Sequence, residues 1–508
     1  MLVKDDPQRD AKPAQNGWSR VDLAASAPAI PVPVVRQLAG TEWTQGSDVH
    51  LISRDAPDGS IYCRVAAATE EEVGRAAQTA QLAFQRWRRA SSLVRSRALV
   101  RVSEALVARS REIADDIVRE TGKPVAQAEG EVARAADALF HYAAIAANES
   151  DRALTRYTHR ATGLLLFEPI GPAAILTSWN MPIQLLAIKA GAALAAGCTV
   201  VIKSSLQAPL SSVHFVNAIL EAGLEPGCAQ LVHGDAAVAS ALVRRPEIRI
   251  VSLTGRDASG EAVMRLAAND LKPLVLELGG KSANIVFADA DLDRAAAGAV
   301  AGIARNQGAA CTAGSRILAH RDIYPELRDR VCDRLRKLVV GDPYDLLTEM
   351  GALRSRETYD VMHRALHGAL ERGGRVYAGE PVVVPGRGGI YVRPALIEGL
   401  LPNDWVNRNE LFAPVATIMP FCHEEEAVML ANDSHYGLAA GVWASDRQLL
   451  QRMWQSLDAG VVFVNSYHRV DGLPFGTAGR KRSGFGSEVG VDGVQEFLVP
   501  KSVQIGGH

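Results

Sequence analysis

Apolar positions along this chain follow two rhythms, and the change between them divides it. From Glu70 to about Ala146 they recur at helical spacing, three and four residues apart. Thr69 stands before EEEVGRAAQTAQLAFQRW as an N-cap ahead of an acidic first turn, where a hydroxyl and carboxylates suit the exposed N–H groups and positive end of a helix. Further helical runs are expected around Arg95–Ser110 and Val125–Ala146, with Gly122-Lys123-Pro124 breaking the pattern between them.

From residue 164 short β-rich runs alternate with helical stretches. They read LLLFEP, AAILTS, the helix IQLLAIKAGAALAAG, TVVIKS, the helix SSVHFVNAILEAG, AQLVHG, a helix near Ala236–Arg244, IRIVSLTG, a helix near Gly260–Asn269, and PLVLELGG. Strands separated by helices at this spacing are βαβ units, which build a parallel sheet covered on both faces. A second series runs from ANIVFA to about Gly486, with the break near Gly279-Gly280. Residues 1 to about 35, polar and then Ala/Pro-rich, suit an irregular arm. Leu154–Phe167 and QEFLVPKSVQIGG are candidates to pair as added strands.

Composition narrows the classes. The chain has 508 residues, 48% of them apolar, which supports a large core and several domains. Its 55 basic and 57 acidic residues leave no excess to draw nucleic acid or an anionic membrane. The longest apolar run, Ala190 to Ile202, is about 13 residues, short of the ~20 that span a bilayer. Six cysteines, none in a CxxC pair, disfavour zinc ribbons and a disulfide framework. The expectation is a soluble, cytoplasmic protein with no metal site, no nucleic-acid partner and no membrane partner.

Several side chains carry candidate chemistry, each with a plainer reading beside it. Cys311, in NQGAACTAGSR, has small neighbours that let a ligand approach. It is either a nucleophile with a favoured thiolate or a small buried hydrophobe. Glu277, in PLVLELGGKS, ends an apolar strand. Desolvation there would raise its pKa and suit it to general-base work, unless it is a solvated strand-end carboxylate. Asn180, in ILTSWNMP, offers an amide donor to an oxyanion or caps the helix that follows. Gly255 and Gly260 bracket a strand-to-helix turn that allows backbone approach to a pyrophosphate, or is an ordinary turn. Lys203 can reach a ribose or phosphate, and Glu410 a second ribose, or each is a solvated charge.

Taken in order and spacing these motifs resemble the aldehyde dehydrogenase superfamily. The matching segments are SWNMP at 178–182, VVIKSS at 200–205, LTGRDASG at 253–260, LELGGKS at 276–282, GAACTAG at 308–314, NELFAPV at 409–415 and RSGFG at 482–486. Pro474-Phe475-Gly476 and Lys481-Arg482-Ser483-Gly484 carry a further signature. The resemblance implies an α/β fold of two Rossmann-like parallel-sheet domains and a small β oligomerisation extension. It implies a cofactor domain over 36–148 and 168–278, a catalytic domain over 279–487, and oligomerisation strands at 149–167 and 488–508.

The same resemblance implies NAD(P)⁺-dependent oxidation of a small-molecule aldehyde to the acid, through a cysteine thiohemiacetal and thioester. Cys311 would be the nucleophile, Asn180 with the Cys311 N–H the oxyanion hole, Glu277 the deacylating base and Lys189 a proton-relay lysine. Lys203 and Glu410 would hold the two riboses, Gly255 and Gly260 would frame the pyrophosphate, and Trp179 and Phe412 would line the nicotinamide end. Thr177, Ser178, Ser205, Leu206, Arg256 and Leu278 complete the cofactor set. A homodimer or homotetramer built by strand addition is implied too.

Some positions depart from the family pattern. Leu206 stands where NAD-preferring members often carry a glutamate, which leaves NADP open beside NAD. Arg256 replaces a small hydroxyl residue and either meets a phosphate or points to solvent. Met181 replaces an aromatic near the substrate tunnel. The segment Ser466–Leu473 would flank that tunnel, with Arg469 either holding an acidic tail or solvated. Two alternatives remain: an acylating enzyme that passes the thioester to coenzyme A, which would have no need of Glu277, and a non-catalytic cofactor-binding protein on the same fold.

Overall fold

The computed structural model describes residues 34–47, 50–148, 152–154, 161–467 and 476–506. Helix Glu70–Trp87 begins in a full capping box: Thr69 accepts from the Glu72 N–H, and the Glu72 carboxylate accepts from the Thr69 N–H at 2.8 Å. Ser92–Ala108 and Val125–Ala147 follow the apolar periodicity. Between them lies a helix the periodicity did not separate, Ser110–Thr121, divided from its predecessor at Arg109. No glycine or proline marks that division. Burial of Ile113, Ala114, Ile117 and Val118 sets it. Gly122, at φ 80°, ends the helix in the left-handed region that glycine enters without strain.

Five parallel strands form the centre of the first sheet, in the spatial order Leu274–Glu277, Ile250–Thr254, Ala173–Leu176, Val200–Lys203, Ala229–Val232. Their residues are almost all buried, as strands covered on both faces require. Gly484–Phe485 adds antiparallel to one edge and Gln37–Leu38 to the other. The strand order reverses between Ala173–Leu176 and Ile250–Thr254, which opens a crevice beyond their carboxyl ends. Helix Pro182–Ala196 fills the space behind it, with every residue but Gln184 buried.

The second sheet runs Arg375–Ala378, Ala395–Glu398, Val415–Phe421, Arg316–His320, Ala283–Val286, Ala439–Trp443, Val461–Val464. All its pairs are parallel except the first. The segment that carries Cys311 connects helix Leu292–Ala304 to strand Arg316–His320.

A third, small sheet pairs Leu498–Gly506 antiparallel with Ala161–Pro169, which pairs in turn with Arg152–Leu154. The last segment is not all strand, because Gly490–Gln495 is a short helix packed on Pro182–Ala196. Val494 and Phe497 are drawn into the core there. The arm expected to be irregular to residue 35 is ordered at its end, where Val34–Val35 pairs with Arg64–Val65; residues 1–33 lie outside the described set. Among the described residues no helix is long and apolar enough to cross a membrane.

Candidate active site

A cleft of about 660 Å³ opens at the reversal point of the first sheet. One wall comes from its strand ends, with Thr177, Ser178, Trp179, Lys203, Ser205, Leu206, Gly255 and Arg256. The other comes from the second unit, with Cys311, Glu357, Glu410 and Phe412. Asn180 and Leu278 line it as well. Trp179 and Phe412 face each other across it edge to face, 5.6 Å between ring centres. Phe412 holds a left-handed backbone, φ 54°, to do so, a conformation that a bulky residue keeps only where its surroundings hold it.

The Gly-Gly pair after Glu277 explains how the second wall comes so close. A Cβ at Gly279 would stand 2.6 Å from the Glu410 carboxylate, and one at Gly280 would stand 2.2 Å from the Cys311 carbonyl oxygen. With no side chains there, the Gly280 N–H donates to Glu410 Oε1 at 3.1 Å. Burial pushes the Glu410 carboxyl up to about 7, opposed by that hydrogen bond and by Lys281.

Cys311 is half-buried on the cleft wall. Although part of the residue faces the cleft, its thiol is enclosed enough for burial to push the pKa up to about 12, and the charges of Glu410, Glu277 and Glu488 push the same way. Three carboxylates therefore act on one sulfur. Asn180 is 3% exposed. Its Oδ1 accepts from Ser178 Oγ at 2.6 Å and its Nδ2 donates to the Ala309 carbonyl at 2.9 Å. An amide carries two N–H donors, so beyond the bond to Ala309 one more is available at a residue that lines the cleft. Lys203 is held below the usual lysine range, at about 8, because burial outweighs the attraction of Asp235.

Not every expected site residue lines the cleft. Gly260 belongs to helix Asp257–Ala267, which starts earlier than the periodicity suggested. A Cβ there would meet Leu278 Cδ1 at 2.6 Å, so this glycine lets helix and strand pack together. Glu277 is buried at the strand end, off the cleft lining, with its charge still reaching Cys311. Lys189 lies deep in helix Pro182–Ala196, donating to Ser252 Oγ at 3.1 Å and to the Glu488 carboxylate. Arg469, with the rest of its segment from 468 to 473, and Pro474-Phe475 lie outside the described residues.

Several site residues were not singled out from the sequence. Glu488 is one, and the signature around Ser483-Gly484 contains it. Glu357 is another: it reaches from helix Arg356–Glu371 across the cleft mouth to Arg256, 3.4 Å away. Lys123, Glu131 and Asn306, buried around Asn180, complete the set. Lys123 sits in the Gly-Lys-Pro break, which reads as punctuation until the fold shows where it points.

The residues present fit a dinucleotide. A crevice at the reversal point of a parallel sheet, a half-buried lysine and a half-buried carboxylate on its opposite walls, and an aromatic pair between them form the donor set that such a ligand needs. A half-buried cysteine and a buried amide side chain line the same cleft, so the fold and site are those of a nucleotide-cofactor protein with a thiol at the cofactor cleft.

Comparison with known proteins gives the particular family. The profile of the Aldehyde dehydrogenase family matches residues 43–503, and this chain belongs to that family. It is 33% identical over 456 residues to a betaine aldehyde dehydrogenase of Vibrio vulnificus (strain CMCP6), covering 88% of this chain and 92% of that one. It is 34% identical over 481 residues to a mitochondrial succinate-semialdehyde dehydrogenase of Arabidopsis thaliana, covering 92% and 89%. The crystal structure of an NAD-dependent aldehyde dehydrogenase from Sinorhizobium meliloti superposes with a TM-score of 0.90 at 32% identity, over 93% of this chain and 95% of that one. An indole-3-acetaldehyde dehydrogenase solved with NAD⁺ gives 0.90 at 30% identity, over 94% and 97%. The chain is thus an oxidoreductase that acts on aldehydes with a nicotinamide cofactor.

Proposed function

We propose that this chain oxidises an aldehyde to the free carboxylic acid, with Cys311 as the covalent nucleophile. The observation that carries the reading is the placement of Cys311 on the wall of a dinucleotide cleft, beside the Asn180 amide and within reach of three carboxylate charges.

Cys311 must first lose a proton, and the surrounding carboxylates supply acceptors. The sulfur adds to the carbonyl carbon, and the carbonyl π pair moves onto oxygen. That oxyanion is held by Asn180 Nδ2 and the Cys311 N–H. A nicotinamide cofactor held in this cleft would supply the acceptor for the hydride that leaves the former aldehyde carbon. Collapse of the oxyanion leaves a thioester on Cys311. Glu277 then takes a proton from water, hydroxide adds to the thioester carbon, the C–S bond breaks, and the acid leaves. Splitting the oxidation in this way replaces one high barrier by two lower ones.

Lys203 and Glu410 hold the two riboses. Gly255 and Arg256 face the diphosphate, with Thr177, Ser178, Ser205, Leu206 and Leu278 along the walls and Trp179 and Phe412 at the nicotinamide end. Gly260 supports that wall from behind. Lys189 and Glu488 form a buried proton path from Ser252 toward the site. Leu206 puts no carboxylate beside the adenosine ribose, so both cofactors are accepted. The strand Leu498–Gly506, which among the described residues is paired on one side only, is the element through which subunits associate. Six cysteines in 508 residues, none in a CxxC pair, favour a reducing, cytoplasmic setting.

The test is a spectrophotometric assay with NAD⁺ or NADP⁺ and aliphatic, aromatic and ω-carboxy aldehydes. Reduced cofactor and free acid form in equal amounts if the reading holds. Glu277→Gln retains the first turnover and loses steady-state hydrolysis; an unchanged steady state removes Glu277 from the base role.

A further inference from the structure

The two oxyanion donors come from different parts of the chain. Asn180 ends the turn before helix Pro182–Ala196, and the Cys311 N–H follows the turn Arg305–Gly308. An oxyanion is stabilised only when both donors aim at one point, so something must set their relative position.

The structure contains such a link. The Asn180 carbonyl accepts from Lys123 Nζ at 2.8 Å and from Asn306 Nδ2 at 2.8 Å. Asn306 Nδ2 also donates to the Ala309 carbonyl at 2.8 Å, the same oxygen that accepts from Asn180 Nδ2 at 2.9 Å. Asn180, Asn306 and Ala309 thereby close a ring of hydrogen bonds two residues before Cys311. The orientation of Asn306 is forced, because only its NH₂ can face two carbonyl oxygens.

The second anchor is Lys123. Its ammonium meets Glu131 Oε2 at 2.5 Å, and both side chains are buried. The other Glu131 oxygen accepts from the Ile183 N–H at 3.1 Å and the Gln184 N–H at 3.4 Å. Those are unpaired donors in the first turn of the helix after Asn180, where a negative charge is favoured. Gln127, on the same helix as Glu131, accepts from the Asn306 N–H at 3.0 Å. Asn306 and Gln307 are both left-handed, φ 51° and 54°, strained conformations that persist where surrounding contacts hold them. A buried ion pair is a poor source of stability compared with apolar side chains of the same volume. What this one supplies is direction.

We propose that Lys123, Glu131 and Asn306 are positioning residues that hold the Asn180 amide and the Cys311 backbone in register as a pair of oxyanion donors. The proposal rests on the functional reading above and adds the residues that set its geometry.

The test is a double-mutant cycle on single-turnover formation of reduced cofactor. Asn306→Asp is isosteric, but a carboxylate has no hydrogen to donate to either carbonyl. It slows the first turnover about 10- to 100-fold, with NAD⁺ affinity within about twofold of the parent by fluorescence titration. In an Asn180→Ala background the same change costs less than about threefold, since the donor it serves is gone. Lys123→Met combined with Glu131→Gln leaves no buried charge unpaired and gives the same pattern if Asn306→Asp does not fold. Equal losses in both backgrounds, or a folded variant at the parental rate, overturn the positioning role while leaving the enzyme reading intact. A parent protein that reduces neither cofactor with any aldehyde overturns the functional reading and this proposal with it.

Discussion

The cofactor-free protein should carry Cys311 as an unreactive thiol at neutral pH. Its pKa is pushed from 9.0 up to about 12 by burial and by Glu410, Glu277 and Glu488. At about pH 7.5 roughly 3 in 100,000 such thiols are ionised, against about 3% for an unshifted one. A sulfur of higher pKa is the better nucleophile once ionised, by roughly 20-fold over this interval at a Brønsted slope near 0.45. The net expectation is alkylation by iodoacetamide roughly 10- to 100-fold slower than for an ordinary thiol. Only the thiolate reacts, so the rate rises about tenfold per pH unit from about pH 7 to 10 with no plateau. The Glu410 carboxyl itself is pushed up to about 7. Glu410→Gln therefore speeds labelling above about pH 8, where that carboxylate is charged, and has little effect below about pH 6, where it is protonated. Labelling is followed by mass spectrometry of the Cys311 peptide. A rate that levels off below about pH 9, or that exceeds an ordinary thiol at neutral pH, refutes the electrostatic account of the site.

Asn180→Ala removes one oxyanion donor and lowers the single-turnover rate about 10²- to 10³-fold, with NAD⁺ affinity little changed by titration. Leu206→Glu supplies a carboxylate beside Lys203, raising KM for NADP⁺ at least about tenfold relative to NAD⁺ through repulsion of the 2′-phosphate; equal KM changes for both would separate this position from cofactor choice. Removal of residues 498–508 strips the Ala161–Pro169 strand of one of its two partners, and sedimentation then shows a smaller species than the parent, whereas an unchanged species excludes the removed strand from assembly.

The linear pattern determined the strands and helices of the sheets and marked out the candidate chemistry. Strands such as Ile250–Thr254 are buried on both faces, so they appear as continuous apolar runs, and the helices between them follow from spacing alone. Cys311, Glu277 and Asn180 could be picked out because each sits beside a strand end or among small residues. The Gly-Gly pair gained its physical reason only in three dimensions, from the approach of Glu410 and of the Cys311 backbone.

Tertiary structure alone decided the rest. Gly260 looks like a phosphate-loop glycine in a linear reading, but it packs on Leu278, because the helix start depends on contacts across the layer. The division at Arg109 carries no local breaker and is set by which side chains reach the core. Lys123 and Asn306 are 183 positions apart in the chain, and both donate to one carbonyl oxygen of Asn180. Local preference acts over a few neighbours, so the pattern of a segment can specify its own helix or strand. Which distant segments converge on one atom is fixed by how those elements pack.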